Sequence, residues 1–202
     1  MHKTPFLFHY HFWTPYLEET EEFYRQQGFE VTQRIGKLDG TFQSFNPPLT
    51  WDDFRHQNIL FRIIECQKGK VNVTIGYGKK VVFDHLGFYV SEDEKMGICQ
   101  RAEMFKWKVE SNDRRTFIST PYQFRIELQT HEDAIYDMES DFHLLRVGLS
   151  SNKEDMITKL KELLGMDALP IDMTVKEKMR LESVEFCGTS LGKTDPNGLF
   201  LK

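Results

Sequence analysis

Cysteine is scarce: three in 202 residues, at Cys66, Cys99 and Cys187. An odd, scattered set makes a poor disulfide framework, so each is expected as a small buried residue in a reducing compartment. The chain also lacks a basic run, and its net charge is −5. That balance argues against a nucleic-acid partner. No apolar stretch is long enough to span a bilayer, and no charged-then-apolar leader opens the sequence. The expectation is a soluble, cytoplasmic protein with no membrane partner.

Aromatic and apolar residues, by contrast, are plentiful. Seventeen phenylalanines within a 40% hydrophobic composition indicate well-covered sheets rather than disorder. The length suits one large domain or two small ones. The stretch from Phe6 to Phe29 sets the pattern for the rest. Strand alternation puts Leu7, His9, His11 and Trp13 on one face and Phe6, Phe8, Tyr10 and Phe12 on the other. Thr14-Pro15 breaks the strand, with Thr14 as helix N-cap and Pro15 at the first helical position. Acids crowd the first turns (Glu18, Glu19, Glu21, Glu22), where the helix dipole favours them. Leu17, Thr20, Phe23 and Tyr24 form the inward stripe, and Gly28 ends the helix.

Further strands are expected at Glu30–Ile35, Thr41–Phe45 and Ile59–Gln67, with Trp51–Gln57 an irregular aromatic loop. Ile59–Gln67 places Phe61, Ile63 and Glu65 on one face. Residues 68–80 hold a short valine/threonine strand that reads as a ribbon between two modules. A second round follows: strand Val81–Val90, a helix over Glu92–Phe105 capped by Ser91 with Glu94 at capping-box spacing, and strands at 107–110, 115–119 and 124–129. His85 takes the place in this round that His9 takes in the first, which is internal-repeat evidence. A weaker third round has a strand at His143–Leu149 and a helix at Lys153–Leu164 capped by Ser150 or Asn152 and stopped by Gly165. Strands at Leu181–Cys187 and Leu199–Leu201 complete it, and residues 167–178 have no clear assignment. The expected organisation is an α+β fold of repeated βαβββ modules, 1–80 and 81–137, forming a curved, mixed but mostly antiparallel sheet around a cleft. A third partial, ligand-poor module spans 138–202 and serves structure or dimerisation.

The strand carrying His9 and His11, followed by a helix ending FYRQQGF, resembles the opening of a module in the vicinal oxygen chelate superfamily. Its members include glyoxalase I, bleomycin-resistance and extradiol-dioxygenase proteins. Counting back from Phe23-Tyr24, His9 is the better match to the family's metal-binding histidine and His11 the spare. The resemblance implies ligands from the first and last strands of each module, which here fall on His9, Glu65, His85 and Glu127. The segment Thr120-Pro121-Tyr122-Gln123-Phe124-Arg125-Ile126-Glu127 is similar to the family's turn and terminal strand, with Thr and Gln where the family has Asp and Gly. Taken singly, a strand histidine is more often a half-buried polar residue, and Glu65 or Glu127 a solvated strand face; their shared register with the module repeat points to a site. His11 would replace His9, act as a nearby acid or base, or simply line the pocket. His56, His131 and His143 read as surface residues.

The four-residue set looks like that of glyoxalase I. It implies a divalent-metal-dependent isomerase or lyase (Zn, Ni, Fe, Co or Mn) acting on a small molecule with vicinal oxygens, with Glu127 or Glu65 moving the proton. Two other functions compete. An iron-dependent extradiol-type dioxygenase needs two histidines and one glutamate; Glu65 as a fourth ligand, and Phe117 where such enzymes tend to have tyrosine, speak against it. A metal-free binding or sequestering protein of the antibiotic-resistance kind would leave the histidines as incidental pocket residues. A homodimer fits any of the three.

Overall fold

The aromatic opening forms strand β1 (Phe6–Thr14) in the computed structural model, which describes residues 5–188 and 190–202. Thr14 ends the strand by accepting a hydrogen bond from the Tyr16 amide at 3.0 Å, so helix α1 (Leu17–Gln26) begins two residues later than Pro15 would start it. Its buried face is Leu17, Thr20, Glu21 and Tyr24. Glu21, outside the inward stripe expected for this helix, is 1% exposed. Arg34 explains this: its Nε and Nη2 donate to the two Glu21 carboxylate oxygens at 2.7 Å each. Nη1 of Arg34 donates to the Phe45 and Leu49 carbonyls.

After Gly28 come β2 (Glu30–Leu38), β3 (Thr41–Ser44), a short helix α2 (Trp51–Phe54) in place of the expected loop, β4 (Leu60–Lys68) and β5 (Val71–Tyr77). Strand β5 corrects the reading of residues 68–80 as a linking ribbon. It pairs antiparallel with β4 and parallel with β1, and is itself the last strand before the second round begins at β6. Its residues Val71 to Gly76 are all buried, so it shows no alternation, the mark of a strand covered on both sides.

The second unit is β6 (Val82–Tyr89), α3 (Glu92–Met104), β7 (Lys108–Ser111), β8 (Thr116–Ser119) and β9 (Arg125–Gln129). The Ser91/Glu94 capping box of α3 forms as expected, with the Ser91 side chain accepting from the Glu94 amide. Both units share one nine-stranded sheet, ordered β3-β2-β4-β5-β1-β6-β9-β8-β7. A 3-10 turn (Glu132–Ala134) leads out of it. Then come β10 (Leu144–Ser151), α4 (Met156–Leu164), β11 (Ile171–Val175), β12 (Arg180–Phe186), β13 (Lys193–Thr194) and β14 (Phe200–Leu201). Neither Ser150 nor Asn152 caps α4; its N-cap is Asp155, whose side chain makes no capping bond.

The second sheet has the order β11-β10-β12-β14-β13. Along that order its pairs are parallel, antiparallel, parallel, antiparallel. The middle of the large sheet, β5-β1-β6-β9-β8, runs in the same sequence of directions. The bulges repeat as well. In the β1–β6 ladder the extra residues are Phe8 and Asp84. In the β10–β12 ladder they are Leu145 and Glu182, at the matching places. The chain thus builds one five-strand motif twice. Tyr10, Tyr24, Leu86, Val147, Met156 and Val184 belong to a single hydrophobic core. No helix among the described residues is long and apolar enough to cross a membrane.

Candidate metal centre

Strands β1 and β6 lie side by side about a local two-fold. His9 faces Gly87, and His11 faces His85. His9 and His85 are thus equivalent positions on neighbouring strands, and their rings meet at the axis. The meeting requires glycine at 87: a Cβ there would lie 2.7 Å from His9 Cβ. The Nε2 atoms of the two histidines are 2.9 Å apart. From β9, opposite Gly87, Glu127 brings Oε2 to 3.1 Å from His85 Nε2 and 3.5 Å from His9 Nε2. The three side chains form a buried set with ligand atoms within 4.8 Å of one another.

The other ring nitrogens decide what this meeting point can hold. His9 Nδ1 lies 2.9 Å from the Asn72 carbonyl, so that nitrogen carries the hydrogen. His85 Nδ1 lies 2.6 Å from Asp84 Oδ2, which again accepts. Both Nε2 atoms therefore point lone pairs at one spot, with a carboxylate oxygen as third donor. Such a spot calls for a cation or a shared proton, and a backbone carbonyl and a carboxylate holding the far nitrogens are the usual outer partners of metal-binding imidazoles. The donor set fits a divalent ion of the Zn, Fe, Mn, Co or Ni group.

The local electrostatics agree. Burial holds His9 down at about 4 against the pull of Glu127. Burial also opposes charge on Glu127, yet the hydrogen bond from His85, the two imidazoles and Arg115 bring it to about 2. Burial disfavours charge on His85 too, but Asp84 and Glu127 outweigh it and raise the group. Of the two imidazoles, His85 is therefore the more readily protonated.

Glu65 stands apart from this trio. It was expected on the last strand of the first unit, but β4 is the strand before the last. Facing it across the ladder is Thr74 of β5, which in turn faces His11 on β1. The two-fold makes Thr74 the counterpart of Glu127, and Glu65 the counterpart of Phe117, which faces Glu127 across β8–β9. The Glu65 carboxylate accepts from Thr32 Oγ1 at 2.7 Å and from Asn72 Nδ2 at 3.1 Å. Glu65 still lines the same cavity, a space of about 320 Å³ whose walls include His9, His11, Trp13, Glu65, His85 and Glu127. His11 stacks on His85, ring centroids 5.0 Å apart, and its Nδ1 lies 2.6 Å from Thr74 Oγ1. Its buried Nε2 has no hydrogen-bond partner among the described residues. Phe117 meets the His85 ring edge-on at 5.1 Å.

Strict alternation hid two residues that matter here. As a bulge residue, Asp84 turns its carboxylate onto the ring of its own neighbour, His85. Its opposite number Phe8 lines the cavity beside His9, while Leu7 joins the core. An acid immediately before a ligand-type histidine is the one signal that could have marked Asp84.

No family model matches the chain, and no curated protein matches it in sequence. Solved structures do share its fold. It resembles 2,2',3-trihydroxybiphenyl 1,2-dioxygenase from Sphingomonas wittichii strain RW1, with TM-score 0.61 and 8% identity over 91% of this chain and 73% of that one. Homoprotocatechuate 2,3-dioxygenase from Arthrobacter globiformis matches with TM-score 0.59 and 13% identity over 97% and 79%. A mutant of 4-hydroxymandelate synthase from Streptomyces coelicolor matches with TM-score 0.60 and 9% identity over 89% and 70%. The chain has the fold of the vicinal oxygen chelate superfamily, and its structural neighbours include extradiol dioxygenases.

Proposed function

We propose that the protein is a metal-dependent dioxygenase of the extradiol type, acting on a small molecule with vicinal hydroxyls. The observation that carries this reading is the three-residue set: where the two-fold would give a second carboxylate facing the centre, β5 offers Thr74. Two histidines and one carboxylate leave positions for substrate and dioxygen, whereas the glyoxalase reading needs Glu65 as a fourth ligand. His9, His85 and Glu127 would hold the ion. The chemistry such an ion supplies is charge stabilisation on the vicinal oxygens and, for iron, reaction with dioxygen.

The chain's own part is orientation and enclosure. Asn72 and Asp84 fix the two imidazoles. Phe8, Trp13 and Phe117 give flat apolar walls suited to an aromatic ring. His11 Nε2 is placed to hydrogen-bond a bound ligand. Glu65, free of the trio, is the carboxylate left to accept a proton from a hydroxyl. The overall reaction breaks one ring carbon–carbon bond beside the hydroxyls and places both atoms of O₂ in the product, so no external reductant is consumed. Protein reconstituted anaerobically with Fe(II) and then mixed with a catechol panel in air should take up one O₂ per ring opened. Isomerisation of a 2-oxoaldehyde–thiol adduct without oxygen uptake would overturn the reading in favour of the glyoxalase type.

A further inference from the structure

Four arginines reach the cavity wall: Arg62, Arg114, Arg115 and Arg125. Three have carboxylate partners. Arg125 pairs with Asp84, Arg114 with Asp133 at 2.9 Å, and Arg115 Nε lies 3.7 Å from Glu127 Oε1. Arg62 has no carboxylate within ion-pair distance among the described residues. It is held nonetheless. Its guanidinium lies over the Trp13 ring, 5.2 Å from the centroid. Trp13 is itself anchored, donating from Nε1 to Asp84 Oδ1 at 3.1 Å. Its ring lies across Gly76 of β5, where any Cβ would collide with it. Glycine at 76 therefore makes room for a platform that carries a free cation and ends on the carboxylate orienting His85.

A stacked guanidinium keeps its donor edge open, and that planar edge matches a carboxylate in paired hydrogen bonds. One uncompensated charge suits a monoanion; a phosphate dianion would call for a second free cation. The cavity, about 320 Å³, has room for a ring and a short arm. We propose that the natural substrate carries a carboxylate separate from its vicinal hydroxyls, and that Arg62, stacked on Trp13, is the residue that selects for it. The inference rests on the vicinal-oxygen reading of the site and narrows its substrate class.

The test is anaerobic calorimetry with 3,4-dihydroxybenzoate, 3-(3,4-dihydroxyphenyl)propanoate, their methyl esters and uncharged 4-methylcatechol. Each is titrated into Zn-loaded and into EDTA-stripped protein. At least one acid should bind about tenfold or more tighter than its ester, the size of a charge-assisted hydrogen-bonded pair. Arg62→Gln should bring acid and ester to within about twofold, and Arg62→Lys should keep part of the preference. Arg62 is exposed, so both variants should melt like the wild type. Equal binding of both acids and their esters, or a preference that survives Arg62→Gln, overturns the proposal. The metal arm separates the two readings. If 4-methylcatechol binds no better to loaded protein while the acid preference persists, the chelation reading fails and the arginine assignment stands.

Discussion

Asp84 does three things with one carboxylate: it accepts from His85 Nδ1, pairs with Arg125 and receives the Trp13 indole hydrogen. Losing it would free the His85 ring to rotate or change tautomer. Asp84→Asn should therefore weaken divalent-ion binding by about 10–100-fold while leaving the chain folded, as measured by competition with a chromophoric chelator. Unchanged affinity would mean that packing alone fixes the ring. The trio also sets a pH dependence in the metal-free protein. An unfolded chain protonates His9 near 6.5 and Glu127 near 4.5, whereas the folded chain holds them at about 4 and about 2. Unfolding then takes up protons, so stability falls as pH drops from about 6.5 towards 4 and further below 4.5. His85 acts oppositely, since its raised value gives stability that is complete below 6.5 and fades as pH rises through the folded value. Thermal melts of EDTA-treated protein should show the acid slope, and His9→Gln should flatten it between 6.5 and 4. An unaltered slope would assign it to other groups.

Among the elements, the buried Glu21–Arg34 pair ties α1 to β2, and through the Phe45 and Leu49 carbonyls it also fixes the segment after β3. Removing one partner strands a buried charge. Glu21→Ala should cost about 3–5 kcal/mol in urea unfolding, with its exposed neighbour Glu22→Ala near wild type. A loss under about 1 kcal/mol for Glu21→Ala would show that Arg34 finds water instead. The same pair shows where sequence reading stops. Helical spacing found α1 but left Glu21 out of its inward stripe, because its partner lies 13 residues away on strand β2. The ends of α3, and strands β1, β4, β6 and β9, were legible because caps, glycines and alternation are local signals. Strand β5 was legible as a short valine/threonine strand but not as a member of the sheet, since a run buried on both faces lacks the alternation that marks a paired strand. That miss shifted Glu65 by one strand and produced a four-ligand set.

At the level of the molecule, two sheets share one pattern of directions and bulges, yet the three donors converge in the large sheet. In the smaller sheet the places matching His9 and His85 hold Arg146 and Ser183, and Gly148 sits against Ser183 as Gly87 sits against His9. The first two rounds of the repeat were visible in sequence because His9 and His85 mark them. The internal doubling of the last segment was not, because β13 and β14 are two residues each and no ligand-type residue flags them. One ion per chain is therefore expected despite the doubled scaffold.

Elemental analysis of the purified, metal-reconstituted protein and its variants tests the three-ligand site head-on. The wild type should hold about one divalent ion per chain, His9→Ala, His85→Ala and Glu127→Ala should lose most of the metal, and Glu65→Gln should retain it, all with native circular dichroism. A wild type that binds no divalent ion, or a Glu65→Gln protein as depleted as Glu127→Ala, would contradict the three-ligand site.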